Sequence, residues 1–386
     1  MTERITVWQV VPHLALGGAT RVVLWLAQRL DRERFAVTVV AGTEEKSEGD
    51  LRDELAQVGA EFLPLPVLRR DIALRDDLAA WRKLRRLLRE RRPDIVHAHG
   101  SKALVLAGFA ARDAGVRAIH TAHGWSFHDH QSGLLRRLQV MAHRSALGSA
   151  AAIVAVSSAT RDKGLAAGIG RPEQYRVIYP GADLDGFAMP PGVREQVRGD
   201  LGLPLDAPVV GSVMRLCDQK APLDFVQAAA LVARSRPDAR FVVVGGGPLQ
   251  ERVTAAVREA GLTERVVLTG PSDQVPRLLA ALDVFALSSL WEGLPIVYAE
   301  ASAAALPCVG TAVDGAAEII EPGVTGLLTP PANPQALAEG ILQVLADPGA
   351  GRQMGENGRR KVREMGFAVP DVVAQYDALY REVAGR

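Results

Sequence analysis

Short apolar runs alternate with longer amphipathic stretches along the first half of the chain. Each apolar run has the length of a buried strand, and each longer stretch repeats its apolar positions at helical spacing. This alternation predicts a parallel sheet with helices on both faces. The predicted strands are residues 5–11, 35–41, 61–65, 94–99, 117–123, 152–157 and 176–179. The predicted helices are residues 20–30, 50–58, 74–92 and 101–114.

The second half restarts the same alternation. Its predicted strands are residues 208–215, 241–244, 266–270, 283–287 and 306–310, and Lys220 is predicted to open a helix. A chain of 386 residues has enough material for two domains, each with its own core. The stretch Pro190-Pro191-Gly192 is typical of a linker. We therefore expect domains at residues 1–188 and 189–368, followed by a last helix at about 370–383.

Composition narrows the functional classes. The net charge of +1 argues against a dedicated nucleic-acid binder. The two cysteines, Cys217 and Cys308, are far apart in the sequence, which fits a reducing compartment better than a disulfide scaffold. The N-terminus runs directly into an apolar strand without a signal-peptide pattern, and no window is apolar enough to span a membrane. We expect a cytoplasmic protein.

The chemistry is expected to centre on residues 288–300, Ser-Ser-Leu-Trp-Glu-Gly-Leu-Pro-Ile-Val-Tyr-Ala-Glu. An apolar strand precedes this stretch, and an Ala-rich helix that Pro295 could open follows it. A strand, a tight loop and a helix N-terminus together present backbone N–H groups to an anion. Glu292 and Glu300 flank this position, and carboxylates there would accept hydrogen bonds from sugar hydroxyls. The alternative is an ordinary solvated helix face.

Three further turns could contribute to the same site. Arg215 and Lys220 flank a strand-to-helix turn and could clamp a diphosphate, although chance surface charges would give the same pair. Gly245 follows another strand, and Gly17-Gly18 separates the first strand from its helix. A glycine pair there permits close approach of a ligand but also suits an ordinary turn. It lacks the G-x-G-x-x-G pattern, so a nicotinamide oxidoreductase is disfavoured.

All the histidines fall within the first 143 residues, and several sit at strand ends. They are His13, His97, His99, His120, His123, His128, His130 and His143. His97 and His99 should point the same way along one strand. No carboxylate partner pattern or fixed ligand spacing accompanies them, so no metal is expected. Most are interpreted as buried, hydrogen-bonded core residues.

Helix 74–92 is rich in arginine and carries an apolar stripe. One interpretation is a surface helix that packs its leucines on the sheet. A second is a basic face that docks on anionic lipid headgroups. The two are compatible because the arginines lie off the apolar stripe.

Glu292, the following Gly-Leu-Pro and Glu300 resemble the signature of family 4 of the retaining glycosyltransferases. The resemblance extends over nearly the whole chain, with its strongest motifs between Arg215 and Gly326. It implies the GT-B fold, in which two Rossmann-like α/β domains face each other across a deep interdomain cleft. It also implies that a C-terminal helix, residues 369–386, crosses back onto the N-terminal domain.

The resemblance also implies roles for single residues. Glu300 would hold the ribose hydroxyls, and Glu292 would contact the transferred sugar with help from the backbone of Gly293, Leu294 and Pro295. Arg215 and Lys220 would grip the diphosphate, with Gly245 also on the donor side. His123 would contact the sugar at the reaction centre, and Gly17 and Gly18 would lie near the diphosphate and the acceptor. The chain departs from the family pattern at Thr20, Met214, Ala221 and Gly246.

These roles imply a retaining, metal-independent glycosyltransferase that needs no cofactor and whose donor substrate is a nucleotide-diphosphate sugar. The acceptor would be a glycan, expected to be lipid-linked, in bacterial surface-polysaccharide synthesis. Helix 74–92 would then bring the enzyme to the inner face of the membrane. The alternatives are a sugar-nucleotide epimerase of GT-B fold, which would need no acceptor, and a non-catalytic two-lobed sugar-binding protein.

Overall fold

The structure is a computed structural model that describes residues 4–14, 17–43, 51–69, 73–128 and 131–386. The chain forms two compact units. The first combines Met1–Gly181 with Val369–Arg386, and the second is Ala182–Ala368. The first unit is therefore discontinuous in sequence. Because the boundary follows Gly181, the stretch Pro190–Gly192, interpreted from the sequence as the linker, lies inside the second unit.

The first unit contains a seven-stranded parallel sheet. Its strands are β1 (Ile5–Val11), β2 (Phe35–Ala41), β3 (Glu61–Pro64), β4 (Ile95–His99), β5 (Arg117–Ala122), β6 (Ala152–Ala155) and β7 (Tyr175–Val177). They lie in the order β3-β2-β1-β4-β5-β6-β7. Helices cover both faces, and β4 and most of β1 and β5 are accordingly buried. This burial explains the apolar run of β1, whereas β4 and β5 carry buried histidines among their apolar residues.

Six helices accompany these strands among the residues that the structure describes. They are α1 (Gly18–Arg29), α2 (Arg52–Gln57), α3 (Leu74–Arg91), α4 (Ser101–Ala114), α5 (Gly133–Leu147) and α6 (Ser158–Ala166). Leu84 of α3, Leu104 of α4 and Leu147 of α5 join one apolar cluster, so these three helices share one face of the sheet. Apolar residues of α1 and α2 pack on the other face.

The second unit contains a six-stranded parallel sheet. Its strands are β8 (Val209–Val213), β9 (Arg240–Val244), β10 (Val266–Gly270), β11 (Val284–Leu287), β12 (Cys308–Thr311) and β13 (Gly326–Thr329). They lie in the order β10-β9-β8-β11-β12-β13. Its helices are α7 (Val193–Asp200), α8 (Pro222–Ser235), α9 (Gln250–Glu259), α10 (Val275–Ala280), α11 (Ile296–Ala303), α12 (Ala316–Ile319), α13 (Pro334–Ala346) and α14 (Pro348–Glu364).

A buried arginine ties α7 to the centre of this second sheet. The Arg198 guanidinium donates to the carbonyls of Ala281 at 2.9 Å and Ala207 at 2.9 Å, and to Asp283 Oδ2 at 2.8 Å. The same Asp283 oxygen accepts the N–H of Val209 at 2.8 Å. Asp283 therefore joins the starts of β8 and β11 and balances a buried charge, which would be costly to leave unpaired.

The last helix, α15 (Val369–Ala384), belongs to the first unit. Its side chains Val372, Tyr376 and Tyr380 are buried in one cluster with Val7 of β1 and Ile95 of β4. Because α1 contributes to the same cluster, α15 covers the face of the sheet opposite α3, α4 and α5. The C-terminal segment thus completes the core of the first unit.

The two predicted parallel sheets are confirmed, with most strand bounds within two residues of prediction. The predicted helix 50–58 is shorter, Arg52–Gln57, and Asp50 lies outside the described residues. Helix α5 had no counterpart in the prediction, because its exposed leucines and methionine obscure the usual amphipathic pattern. No helix in the part of the chain that the structure describes is long and apolar enough to cross a membrane.

Candidate active site

The predicted strand, polar loop and helix are present in the second unit as β11, residues 288–295 and α11. Pro295 immediately precedes the first helical residue instead of lying within the first turn. Among the described residues, no side chain caps the N-terminus of α11. The Tyr298 N–H donates to the Pro295 carbonyl at 3.0 Å, so the N–H groups of Ile296 and Val297 are the ones that could meet an acceptor at the end of the helix.

Glu292 is the most firmly held side chain of this loop. Its carboxylate forms an ion pair with Lys220, and the two side chains are only 7% and 18% exposed, respectively. Ser289 Oγ donates to Oε1 of the carboxylate at 2.6 Å, and Gln219 Nε2 donates to Oε2 at 3.4 Å. Donors on both oxygens fix the orientation of the carboxylate. The pairing also places the Lys220 ammonium against the polar loop.

The loops after β8 and β11 are cross-linked to each other. The Leu290 N–H donates to the Gln219 carbonyl at 2.8 Å. Ser288 Oγ contacts the carbonyl oxygens of Lys220 at 2.8 Å and Ala221 at 2.9 Å. These bonds join segments that are about seventy residues apart in the chain, so the ion pair belongs to a rigid framework.

Lys220 does not open a helix, in contrast to the prediction from the sequence. Lys220 ends a short 3-10 turn, Asp218–Lys220, and α8 begins at Pro222. Ala221 between them has φ of 43°, in the left-handed region that glycine adopts most readily. A left-handed alanine costs roughly 1–2 kcal/mol. The structure therefore keeps a glycine-type backbone where the family pattern has glycine and this chain has alanine.

Gly245 follows β9 and lies directly against the neighbouring loop. Its φ is 132°, and a Cβ there would stand 2.0 Å from the Met214 carbonyl oxygen. At Gly247, a Cβ would stand 2.6 Å from the Leu216 carbonyl oxygen. The Leu216 N–H also donates to the Gly246 carbonyl at 2.9 Å. Glycines are therefore required because two backbones meet at this point.

The other predicted donor-side residues lie on the same loops or on the helix α11 that follows. Arg215 is half-buried between β8 and the 3-10 turn, and Glu300 is half-buried within α11. Gly293, Leu294 and Pro295 are buried. Their predicted contacts with a substrate stay predictions.

Asp314, which the sequence analysis did not select, anchors the tip of the loop. Its Oδ2 accepts the Glu292 N–H at 2.8 Å. The adjacent Gly315 N–H donates to the Gly293 carbonyl at 3.3 Å. The segment after β12 therefore holds the backbone of Glu292 and Gly293 in place through these two hydrogen bonds.

In the first unit, Gly17 and Gly18 open α1. Gly17 is extended, with φ of 168°, and its carbonyl accepts the Thr20 hydroxyl at 2.9 Å and the Arg21 N–H at 3.0 Å. A Cβ at Gly17 would meet no described atom closer than Thr20 Oγ1 at 3.8 Å. No packing contact of the described residues therefore requires glycine at position 17. Thr20 stands where the family pattern has glutamate, and its hydrogen bond to the Gly17 carbonyl stabilises this turn.

His123 follows β5, is half-buried, and begins a series of hydrogen-bonded polar side chains that leads into the core. Its Nε2 is 3.1 Å from His99 Nδ1. His99 Nε2 is 2.7 Å from Gln9 Oε1, and Gln9 Nε2 is 2.7 Å from the Tyr380 hydroxyl. Strands β1, β4 and β5 and helix α15 are joined through these contacts.

The series of hydrogen-bonded side chains continues from Tyr380 along the same face of the sheet. The Tyr380 hydroxyl is 2.6 Å from His97 Nδ1, and His97 Nε2 is 2.7 Å from Thr121 Oγ1. Thr121 Oγ1 is 3.1 Å from the Tyr376 hydroxyl. His97 and His99 therefore do point the same way, and both are buried and hydrogen-bonded as predicted. We call these seven side chains, from His123 to Tyr376, the histidine chain.

His120 differs from the expected hydrogen-bonded histidine. It points to the opposite face of the sheet, where His143 of α5 also lies. His143 Nε2 is 3.1 Å from Ser126 Oγ. His120 is fully buried, and neither of its ring nitrogens has a partner among the described residues. Such a group destabilises the fold by its lost hydration.

Burial favours the neutral form of these imidazoles. It lowers the pKa of His120 to about 3 and the pKa of His123 and His143 to about 4. Burial, with smaller contributions from neighbouring imidazoles, lowers the pKa of His97 and His99 well below 6.5. All five are therefore neutral at pH 7.

His13 and His128 are half-buried, and His130 lies outside the described residues. In the described parts of the chain, no cluster of three or more histidine, cysteine, aspartate or glutamate side chains could hold a metal ion.

Sequence reasoning did not select the residues that orient the predicted ones. Gln9 could have been noticed as the one amide in the apolar run 5–11. Tyr376 and Tyr380 are spaced to share one face of a helix, which marks a common environment without identifying it. Ser289 and Gln219 had no sequence signal beyond their place in polar loops.

Comparison with known proteins identifies the architecture. HepE of Anabaena, whose structure contains UDP and glucose, has a TM-score of 0.83 to this chain at 24% identity, covering 97% of this chain and 98% of its own. The two parallel-sheet units thus form a GT-B fold, as predicted.

Sequence comparison then identifies the family. The family model described as "Glycosyltransferase Family 4" matches residues 16–185. The family model described as "Glycosyl transferases group 1" matches residues 193–361. The Escherichia coli UDP-Gal:alpha-D-GlcNAc-diphosphoundecaprenol alpha-1,3-galactosyltransferase is 32% identical over 304 residues, 78% of this chain and 77% of the relative. The 2-deoxystreptamine glucosyltransferase of Streptomyces kanamyceticus is 35% identical over 274 residues, 68% of this chain and 70% of the relative. The chain belongs to glycosyltransferase family 4, and it is an enzyme that uses a nucleotide sugar.

The buried histidines make stability depend on pH. An unfolded histidine has a pKa near 6.5, so the unfolded chain binds more protons than the folded protein below that pH. Protonation of the buried histidines therefore does not lower the free energy of unfolding above about pH 6.5. Below that pH, the free energy of unfolding falls as the pH decreases toward 4. His120→Leu should reduce this loss, adding about 2 kcal/mol at pH 5 relative to its effect at pH 7.5, because the pKa of His120 is about 3.

Urea unfolding at the two pH values measures this difference. Ile119→Leu, the preceding residue on β5, is the control and should keep the wild-type pH dependence. An equal effect of His120→Leu at both pH values would contradict the prediction.

Proposed function

We propose that the protein is a retaining, metal-independent glycosyltransferase that transfers a hexose from a nucleotide-diphosphate sugar to a lipid-linked glycan acceptor. We place the reaction in bacterial surface-polysaccharide synthesis, at the inner face of the membrane. The donor is a substrate, and no cofactor is needed. The observation that carries the proposal is the buried pair of Lys220 and Glu292, held beside the uncapped N-terminus of α11.

The second unit would hold the donor. Lys220, Arg215 and the N-terminus of α11 provide positive charge for the diphosphate. Glu292 would accept hydrogen bonds from the sugar, and Glu300 from the ribose. The backbone of Gly293 to Pro295 and the turn at Gly245 would line the space between them. Here the firm orientation of Glu292 supports the proposal, because recognition of a sugar hydroxyl requires a fixed acceptor.

The chemistry follows from the charge of the leaving group. The bond from the anomeric carbon to the diphosphate oxygen breaks, and the bond to the acceptor oxygen forms on the same face of the sugar. The acceptor proton passes to the departing diphosphate oxygen. Lys220 and Arg215 would stabilise the negative charge that develops there. Glu292 would then not act as a nucleophile, in contrast to the carboxylate of a retaining glycosidase.

In the first unit, Gly17, Gly18 and His123 would act on the acceptor side and at the reaction centre. His123 is neutral at pH 7 because burial lowers its pKa to about 4. It would therefore contact the transferred sugar as a hydrogen-bonding group and not as a charge. The space at Gly17 would leave room for a ligand near the backbone.

A lipid-linked acceptor is favoured by an exposed apolar patch on α5. Its members Leu134, Leu138 and Met141 are 71%, 55% and 63% exposed. Exposed arginines on the same helix are Arg136, Arg137 and Arg144. Apolar side chains beside basic ones are the pattern of a helix that lies on an anionic membrane. The 2-deoxystreptamine relative indicates that the family also includes enzymes named for an acceptor without a lipid.

Helix α3, the helix predicted from sequence to dock on lipid, would contribute basic charge. It packs Ala80, Leu84 and Leu88 into the core, as the surface-helix interpretation requires. Its exposed end carries Leu74, which is 83% exposed. Because α3 and α5 cover the same face of the sheet, we propose that both line the membrane-facing surface.

Transfer itself tests the function. The protein is incubated with UDP-, GDP- and ADP-sugars and with polyprenyl-diphosphate-linked N-acetylglucosamine as the probe acceptor. We expect one donor to give a disaccharide product with the donor's anomeric configuration, observed by NMR, with full activity in EDTA. Inversion, or loss of activity in EDTA, would contradict the proposal. Conversion of the donor without acceptor would indicate an epimerase, and binding without reaction a sugar-binding protein.

The two charged positions should affect different kinetic constants. Glu300→Ala removes the proposed ribose acceptor and should raise the donor Kd roughly 10-fold or more, with a smaller effect on kcat. Lys220→Ala removes charge opposite the leaving group and should lower kcat roughly 100-fold. Calorimetry and steady-state kinetics measure both. The exposed residues Glu259 and Arg258 of α9 provide alanine controls of matched charge. An unchanged donor Kd in Glu300→Ala would refute the ribose assignment.

Membrane attachment should depend on α5. Vesicles that contain anionic lipid should sediment the wild-type protein, and neutral vesicles should not. The double variant Leu138→Ser, Met141→Ser should lose most of the binding, because it removes buried apolar area from the contact. Leu205→Ser in the second unit, where the leucine is 62% exposed, is the control. Equal binding to neutral vesicles would exclude an electrostatic membrane surface.

A further inference from the structure

The histidine chain has a defined direction, which Gln9 determines. A side-chain amide has one end that only accepts hydrogen bonds and one that only donates them. Gln9 Oε1 faces His99 Nε2, and Gln9 Nε2 faces the Tyr380 hydroxyl. His99 Nε2 must therefore carry a hydrogen, and Tyr380 must accept one.

The hydrogen on His99 determines the tautomer of His123. Burial lowers the pKa of His99 well below 6.5, so at pH 7 the ring is neutral and carries one hydrogen. With that hydrogen on Nε2, His99 Nδ1 is an acceptor. The atom that faces it at 3.1 Å is His123 Nε2, which must then be the donor. His123 is also neutral, so its Nδ1 carries a lone pair.

In the other half of the histidine chain, from Tyr380 to Tyr376, each donor also meets an acceptor. Tyr380 accepts from Gln9 and donates its own hydrogen to His97 Nδ1. His97 Nε2 then donates to Thr121, whose hydroxyl donates to Tyr376. Each hydrogen along the six contacts has one acceptor. The opposite direction would require Gln9 to turn its amide over.

We propose that Tyr380, Gln9 and His99 are positioning residues that hold His123 in the tautomer with hydrogen on Nε2, so that Nδ1 accepts a hydrogen bond from a hydroxyl of the transferred sugar. The catalytic part of this inference rests on the proposed role of His123 at the reaction centre. The tautomer does not, since it follows from contacts within the first unit. The last helix of the chain thereby determines which hydrogen bond His123 can make with substrate.

The two tyrosines of α15 allow a matched test. Both are buried, one helical turn apart, and both join the histidine chain. Tyr380→Phe removes the acceptor that keeps the Gln9 amide in its orientation. Tyr376→Phe removes only the last acceptor and leaves the contacts from Tyr380 to His123 intact. Each variant retains the ring, so packing losses should be similar and small.

The tautomer is measured by NMR on protein with 15N-labelled histidine, without substrate. His123 and His99 are assigned from single His→Gln variants, with long-range couplings reporting which nitrogen is protonated. We expect hydrogen on Nε2 of both rings in the wild type and in Tyr376→Phe. Tyr380→Phe should give a mixture of tautomers at His123. Hydrogen on Nδ1 of wild-type His123, or an unchanged His123 in Tyr380→Phe, would overturn the proposal.

Kinetics then separate this inference from the proposed function. Tyr380→Phe should lower kcat roughly tenfold at nearly constant donor KM, and Tyr376→Phe should change neither. Equal loss in both variants, parallel to a loss of stability, would show a structural role and overturn the positioning assignment. Tautomers that shift as expected without any change in kcat would refute the role of His123 at the reaction centre and leave the assigned tautomer standing.

Discussion

Parallel strand pairing is the constraint on which both units depend. It brings the carboxyl ends of all strands of a sheet to one edge, so loops that are distant in sequence become neighbours. In the second unit, the loops after β8, β9, β11 and β12 meet in this way, and the pairing of Lys220 with Glu292 is one result. In the first unit, the ends of β1, β4 and β5 bring Gln9, His99 and His123 together.

The two units build their polar features by different means. In the second unit, the path of the backbone determines the shape of the loops. Gly245 is required where it touches the Met214 carbonyl, and Ala221 adopts the left-handed conformation that glycine would take. Side-chain identity can therefore depart from the family pattern while the loops keep their path. In the first unit, side-chain chemistry dominates, because each buried donor of the histidine chain must find an acceptor. Substitution there would change hydrogen-bond direction and not backbone shape.

The sequence predicted the architecture well because burial on both faces leaves an unmistakable apolar pattern in parallel strands. It also selected Lys220 and Glu292, since charged residues beside strand-to-helix turns are conspicuous. It did not anticipate that these two form an ion pair, because their separation in the chain hides their proximity. Gln9 and Tyr380 were missed for a similar reason. Their role exists only through the packing of the last helix on β1, and no local pattern encodes that contact. Helix α5 was missed because its apolar side chains face outward.

The return of α15 to the first unit has a consequence for biosynthesis. During translation the ribosome releases residues 1–181 long before Val369–Ala384, with the entire second unit made in between. Until then the apolar face of the nascent sheet that receives Tyr376 and Tyr380 lacks its cover, and His97 and Gln9 lack their phenolic partners. Exposed apolar surface of this kind makes an incomplete domain prone to aggregation. The contacts of Gln9 and His97 with Tyr380 can therefore form only after α15 has been synthesised.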